Sequence, residues 1–235
     1  MNLTVPTGWS DVTPEQLRTI AHVDSLFLTE QEKRVAMFCR LAGVKIQTQV
    51  IDNSGANTAK YFLTRGDEKA LVDAATLMTL CESVRWVGEV TPCDVACPFG
   101  WDRHLYDVEF GTYFRADALM LAYAYTGEAD RCLRAIRELD PKAEPTDDDV
   151  PVMRIWWAGF KEWLRQKYPE IYQKADGGGT DGYNTADAWQ NFMLMLNEGK
   201  PLENDRIEHA QLHDVLAAIQ FKIQQAKERE AALKK

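Results

Sequence analysis

The sequence predicts a mainly α fold: a multi-helix bundle with a small β-hairpin insertion and a long C-terminal helix. Three observations carry this. Two capping boxes open helices within the first 42 residues, and apolar residues recur at steps of three and four through most of the chain. Between residues 44 and 64 that period changes to two.

Each element has its own signal. Thr13 precedes Pro14 and stands three residues before Gln16, an N-cap, a first-turn proline and a capping partner for a helix through Leu17, Ile20 and Ala21. Thr29 and Glu32 repeat the device for a helix whose apolar face is Val35, Phe38, Cys39, Leu41 and Ala42, ended by Gly43. Val44 to Ile51 nearly alternates, Asp52 to Asn57 is turn-forming, and Lys60 to Thr64 reads extended, which together make a β-hairpin at about 44–64. Asp67 then reads as the cap of a helix through Ala70, Leu71, Ala74, Leu77, Met78 and Cys81. Val84 to Asp107 reads as a long loop with Trp86, Phe99 and Trp101, and long loops in compact chains tend to carry function.

Phe114 to Tyr125 and Glu128 to Leu139 read as an antiparallel helical pair broken at Thr126 and Gly127. A further helix spans Val152 to Tyr168, with Ile155, Trp156, Phe160, Trp163 and Leu164 on one face. Thr185 caps a helix carrying Trp189, Phe192, Met193 and Leu196, closed by Gly199. The last helix runs from about Glu203, and Leu212, Leu216, Ile219, Ile223, Ala226, Glu230 and Leu233 form a heptad seam along it. The chain thus divides into an N-terminal helical domain, 1–140, an acidic Pro-containing linker, 141–151, and a C-terminal helical region, 152–235, with a Gly-rich linker at 176–183.

Composition narrows the function classes. The 235 residues hold 27 Lys plus Arg against 36 Asp plus Glu, a net charge of -9, which argues against a nucleic-acid binder of the whole-surface kind. The charge is uneven: residues 138–149 carry six acids and one Lys, whereas 222–235 carry five basic residues and two acids. No run of about 18 apolar residues is present, and the first residues lack the basic and apolar segments of a signal peptide, so the expected location is a cytosol. Five cysteines, spread and odd in number, fit reduced thiols better than a disulfide framework. Cys93 and Cys97 lie four apart in a Pro and Gly punctuated loop, but a zinc site needs two more ligands, and no second Cys pair or nearby Cys/His pair supplies them.

Few residues suggest chemistry. His209 and His213 would share one face of a continuous helix and are the candidate metal ligands, although Ala210 stands where a metalloprotease motif needs Glu. Gly177 to Gly182 lacks the Lys and the Ser or Thr of a phosphate loop, and Asp147 to Asp149 lacks the pattern of a calcium loop. Asp107, Glu109, Arg115 and Asp117 gather among aromatics, as an ion-pair node or as a carboxylate pair for acid and base work, with His104 the one histidine near them in sequence. No catalytic residue and no cofactor is expected. Partner binding is assigned to Leu212, Leu216, Ile219 and Ile223 on the heptad seam and to Trp86 and Trp101 in the long loop. Self-association through the C-terminal helix is a further expectation; a membrane is not, and nucleic acid would have only the basic tail to bind.

Several stretches in order resemble a group of helical proteins from the tail-gene regions of Bacteroides-type phages and prophages, encoded near the tape-measure protein. They are Trp9 with the Thr13 to Ala21 helix, the helix ending Leu41-Ala42-Gly43, and Glu109-Phe110 followed by Arg115-Ala116-Asp117. After the acidic linker come Tyr168-Pro169-Glu170-Ile171-Tyr172, the Gly-rich stretch, the Trp189 helix and Leu212-His213-Asp214-Val215-Leu216. The Cys93/Cys97 loop falls outside that pattern. The resemblance implies a non-enzymatic tail-assembly, chaperone-like role, with other tail proteins such as the tape-measure protein as partners. The alternatives are a structural virion component such as a connector, and a metal-dependent enzyme using His209 and His213.

Overall fold

Capping chemistry decides the first two helices. In the computed structural model, which describes residues 3–51, 58–172 and 185–233, α1 spans Pro14–Ser25 and α2 spans Glu30–Ala42. Both capping boxes close as expected: the Thr13 side chain accepts from the Gln16 backbone N–H, the Thr29 side chain from that of Glu32, and each partner side chain returns to the cap. Gly43 ends α2 at φ 66°, a left-handed turn that a Cβ would strain.

The chain divides into two units, Met1–Phe99 and Gly100–Lys235. In the first, β1 (Lys45–Ile51), β2 (Thr58–Arg65) and β3 (Glu68–Asp73) form an antiparallel meander in the order β1-β2-β3. The expected hairpin is therefore two-thirds of a sheet, and its turn, Asp52 to Asn57, lies outside the described residues. The third strand corrects the helix expected from Asp67. Gly66, at φ 57°, turns the chain so that Arg65 pairs with Glu68, and residues 68–73 extend along β2 with alternating exposure. The cap moves to Asp73, whose carboxylate accepts from the Thr76 N–H at 2.7 Å and starts α3 (Ala74–Glu82). α1, α2 and α3 close over this unit's core of Leu17, Ile20, Phe38, Leu63, Leu77 and Cys81. The long loop contains one short helix, α4 (Trp86–Glu89).

The second unit is helical: α5 (Phe110–Thr126), α6 (Ala129–Leu139), α7 (Asp149–Lys167), α8 (Thr185–Asn197), α9 (Asn204–Glu208) and α10 (Leu212–Leu233). α5 and α6 form the expected antiparallel pair, turned at Gly127, and α6 packs on α7. The acidic residues 141–151, expected to join two lobes, instead connect α6 to α7 inside this one unit. The reason is that Cys132, Ala135 and Ile136 of α6 and Val152, Met153 and Trp156 of α7 are buried together in its core. The Gly-rich stretch 176–183 lies outside the described residues. No described helix is long and apolar enough to cross a membrane.

One long-range contact rewrites the C-terminal helix. The Phe110 N–H donates to the Ala210 carbonyl at 2.8 Å and the Leu212 N–H to the Val108 carbonyl at 2.9 Å, an isolated antiparallel bridge of Glu109 with Gln211. These bonds take backbone groups that a continuous helix would use itself, so the helix expected from about Glu203 is split into α9 and α10. Gly111 permits the approach, since a Cβ there would meet the Glu208 carbonyl oxygen at 3.2 Å.

Candidate functional site

The split separates the two histidines proposed as metal ligands. His209 caps the end of α9 and is exposed, with Nδ1 2.8 Å from the Asp205 carbonyl oxygen. His213 lies in the first turn of α10 and is buried. Its Nε2 donates to the His104 carbonyl at 2.6 Å, which leaves Nδ1 as the acceptor of the neutral ring, 2.9 Å from the Tyr168 hydroxyl. With both nitrogens engaged, His213 presents no lone pair to a metal, and its position off the α9 axis removes the shared helix face. Among the described residues, no group of three or more His, Cys, Asp or Glu gathers as a metal site would require.

The expected charge node is also divided. Asp107 is exposed, Glu109 sits in the backbone bridge, and Arg115 pairs with Glu138 on α6. Asp117 turns to Lys161 of α7, with both carboxylate oxygens 3.0 Å from Nζ. The same ammonium donates to the Tyr113 hydroxyl at 3.2 Å, and Tyr113 and Tyr172 share a hydrogen bond of 3.2 Å. Burial pushes both phenols well above the ordinary tyrosine range, reinforced at Tyr113 by the Asp117 charge. The four side chains satisfy one another and tie α5, α7 and the segment after α7 together.

The residues assigned to partner binding fall into different settings. Leu212, Leu216 and Ile219 are buried where α10 packs on α5 and α8, so this half of the seam belongs to the unit's own core. Ile223 is half-buried, and beyond it α10 is mostly exposed. Trp86 is held within the first unit: its ring meets Trp9 edge-on at 5.1 Å and its Nε1 donates to the Pro6 carbonyl at 3.0 Å. Trp101 is half-buried against Trp156 at 5.5 Å. Cys97 is buried and Cys93 half-buried in the loop. Cys39, Cys81 and Cys132 are free thiols in helices; burial pushes the Cys81 thiol up to about 11 and the Cys132 thiol to about 12, so neither is ionised near neutrality.

A cluster absent from the sequence expectations surrounds His213. His104 stacks on Trp163 with ring centroids 3.8 Å apart and an interplanar angle of 11°. Tyr106 leans on His213 at 4.3 Å, and the Lys167 ammonium lies 4.5 Å from the Tyr106 ring, 4.7 Å from Trp163 and 5.4 Å from Tyr168. Trp163 and Lys167 come from the last turns of α7 and Tyr168 from the residue that caps it, but His104 and Tyr106 come from a loop about sixty residues earlier in the chain. Short-range periodicity carries no signal for such a meeting.

This packing makes stability pH-dependent. Burial holds the His213 imidazole below its ordinary pKa of 6.5, and the Lys167 and His104 charges push the same way, against the His104 carbonyl bond and Asp102. The unfolded chain therefore takes up a proton near 6.5 while the folded one does so only at lower pH. The contribution is complete above 6.5 and is lost as pH falls through the folded value. Urea midpoints measured between pH 7 and pH 5 are expected to fall more steeply for the native chain than for His213→Gln, which does not titrate. Parallel slopes would rule out His213 as the source. Exposed His209, raised by its bond to the Asp205 backbone, acts with the opposite sign in both proteins and cancels in the comparison.

Compared with protein-family models, curated proteins and solved structures, the chain gives no significant match.

Proposed function

We propose that this chain is a non-enzymatic phage or prophage tail-assembly protein that holds an apolar helical segment of another tail protein, such as the tape-measure protein. The observation that supports this best is the asymmetry of α10. Its first turns are fixed by Leu212, Leu216 and Ile219, whereas Phe221 is 59% exposed and Leu233 87% exposed on the turns that follow. Lys222 donates to the Met195 carbonyl at 2.8 Å and to Glu198 at 3.0 Å, and Lys227 pairs with Glu170, so this 22-residue helix of roughly 33 Å is held along one face and offers the apolar side chains on its other faces to a second helix. Leu194 of α8 and Leu202 add exposed apolar side chains in the same unit. The sequence resemblance supplies the class of partner, and the division of His209 from His213 removes the geometry on which the metal-enzyme alternative rested.

Co-expression with a tape-measure protein encoded beside this chain's gene, followed by pull-down, tests the reading. A soluble complex is expected with the native chain, and its recovery is expected to drop at least about tenfold with Phe221→Ser combined with Leu233→Ser, a loss of the size that two buried contacts confer. A partner that stays insoluble and uncaptured with the native chain would overturn the chaperone-like role.

A further inference from the structure

β3 is an edge strand: it pairs with β2 on one side and, among the described residues, with no strand on the other. Gly66, at φ 57°, and Asp67 form a two-residue loop, so the Arg65 and Glu68 pair that closes it exchanges both backbone hydrogen bonds. Bonded pairs alternate along an antiparallel ladder, which makes Leu63 with Ala70 and Tyr61 with Val72 the next two. The N–H and C=O groups of Lys69 and Leu71 and the N–H of Asp73 therefore point away from β2, at the open edge.

The side chains on this edge have a matching symmetry. Lys69, Leu71 and Asp73 share one face of the sheet and are exposed, Leu71 by 48%. If two copies of β3 run antiparallel about a two-fold axis through Leu71, each Lys69 stands opposite Asp73 of the partner copy, and opposite charges in that position attract. A bond from the Thr76 backbone holds the Asp73 carboxyl below its ordinary range, so it is ionised near neutrality. In the same register the two Leu71 residues exchange both backbone bonds, and each Lys69 carbonyl accepts from an Asp73 N–H. Phe62, half-buried on β2 beside Leu71, extends the apolar row on either side of the axis. A shift of two residues in either direction would set Leu71 against a charge, which specifies the register.

We propose that β3 is a dimerisation edge, through which two copies of this chain join their three-stranded sheets into one antiparallel sheet. An exposed edge is a template for any strand, and Lys69 guards this one against partners that bring no carboxylate to meet it. A single pair of short strands buries less than the roughly 1,200 Å² of a stable interface, so the dimer is weak and forms in the micromolar range.

Sedimentation equilibrium of the full chain, from low micromolar to near-millimolar concentration, tests this. A reversible monomer–dimer equilibrium is expected, at least tenfold weaker in Lys69→Glu, which sets like charges across the axis. A loss at least as large is expected in Leu71→Pro, whose missing N–H faces away from β2 and so leaves the ladder intact. Urea midpoints show whether each variant is folded. Leu71→Cys supplies a second readout: with oxidised glutathione it is expected to give a disulfide-linked dimer that the native chain does not, since residues of a bonded pair have Cα atoms about 5.5 Å apart. Phe221→Ser combined with Leu233→Ser is expected to leave the dimer unchanged. A chain that stays monomeric at every concentration overturns the proposal, as does a dimer indifferent to Lys69→Glu or one abolished by the two changes in α10. No tail protein enters the readout, so its failure is separate from a failure of the assembly role.

Discussion

Replacing Trp156 with Ala is expected to lower the unfolding free energy by about 3–5 kcal/mol, the usual cost of emptying a large aromatic site in a closed core. Trp156 is fully buried on α7, stacks on Phe160 at 5.8 Å with planes 10° apart, and meets Trp101 and Trp157 edge-on at 5.5 and 6.0 Å. These rings come from one helix and from the loop before α5, so collapse around the cavity would have to move α7 as a whole. Trp156→Phe keeps an aromatic face and should lose clearly less. Urea unfolding of the three proteins measures the difference. A loss below about 1 kcal/mol for Trp156→Ala, the range of ordinary surface changes, would mean that this aromatic group does not hold the second unit together.

Leu216→Ala is expected to cost about 2–5 kcal/mol, and Phe221→Ala to stay within about 0.5 kcal/mol, although both residues lie on the same helix five positions apart. Leu216 is 2% exposed where α10 packs on α5 and α8, while Phe221 is 59% exposed. The contrast separates the part of α10 that folds the unit from the part left for a partner. Equal and small effects would place the whole helix outside the core, and equal and large ones would remove the free face on which partner binding depends. Denaturant midpoints of the two variants decide between these outcomes.

What could be read in the sequence was what short-range chemistry controls. The boxes at Thr13 and Thr29 and the stop at Gly43 each involve residues within a few positions of one another, and each forms as expected. The apolar face of α7 was legible for the same reason, since Ile155, Trp156, Phe160 and Leu164 recur with the helical period. β3 was not. Glu-Lys-Ala-Leu-Val-Asp accommodates both a helical and an alternating pattern, and the deciding partner is β2, reached through the turn at Gly66. The break at His209 to Gln211 has no glycine or proline to announce it, because a strand-like segment far away in sequence imposes it. The cluster around Lys167 was hidden likewise: its rings meet only after α7, the 104–106 loop and α10 have packed.

The bridge of Glu109 with Gln211 also bears on how the chain acquires its structure while it is being made. It closes a loop of about a hundred residues, a separation whose closure entropy must be met before the contact returns anything. During synthesis from the N-terminus, the first unit has all its residues available once Phe99 has emerged, but the entry to α5 stays without its strand partner until Gln211 leaves the ribosome. Until then Phe110, buried in the finished unit, and the other residues that await α10 remain uncovered. Arrest of translation between residues 140 and 208 is therefore expected to yield a chain whose first unit resists protease and whose second does not.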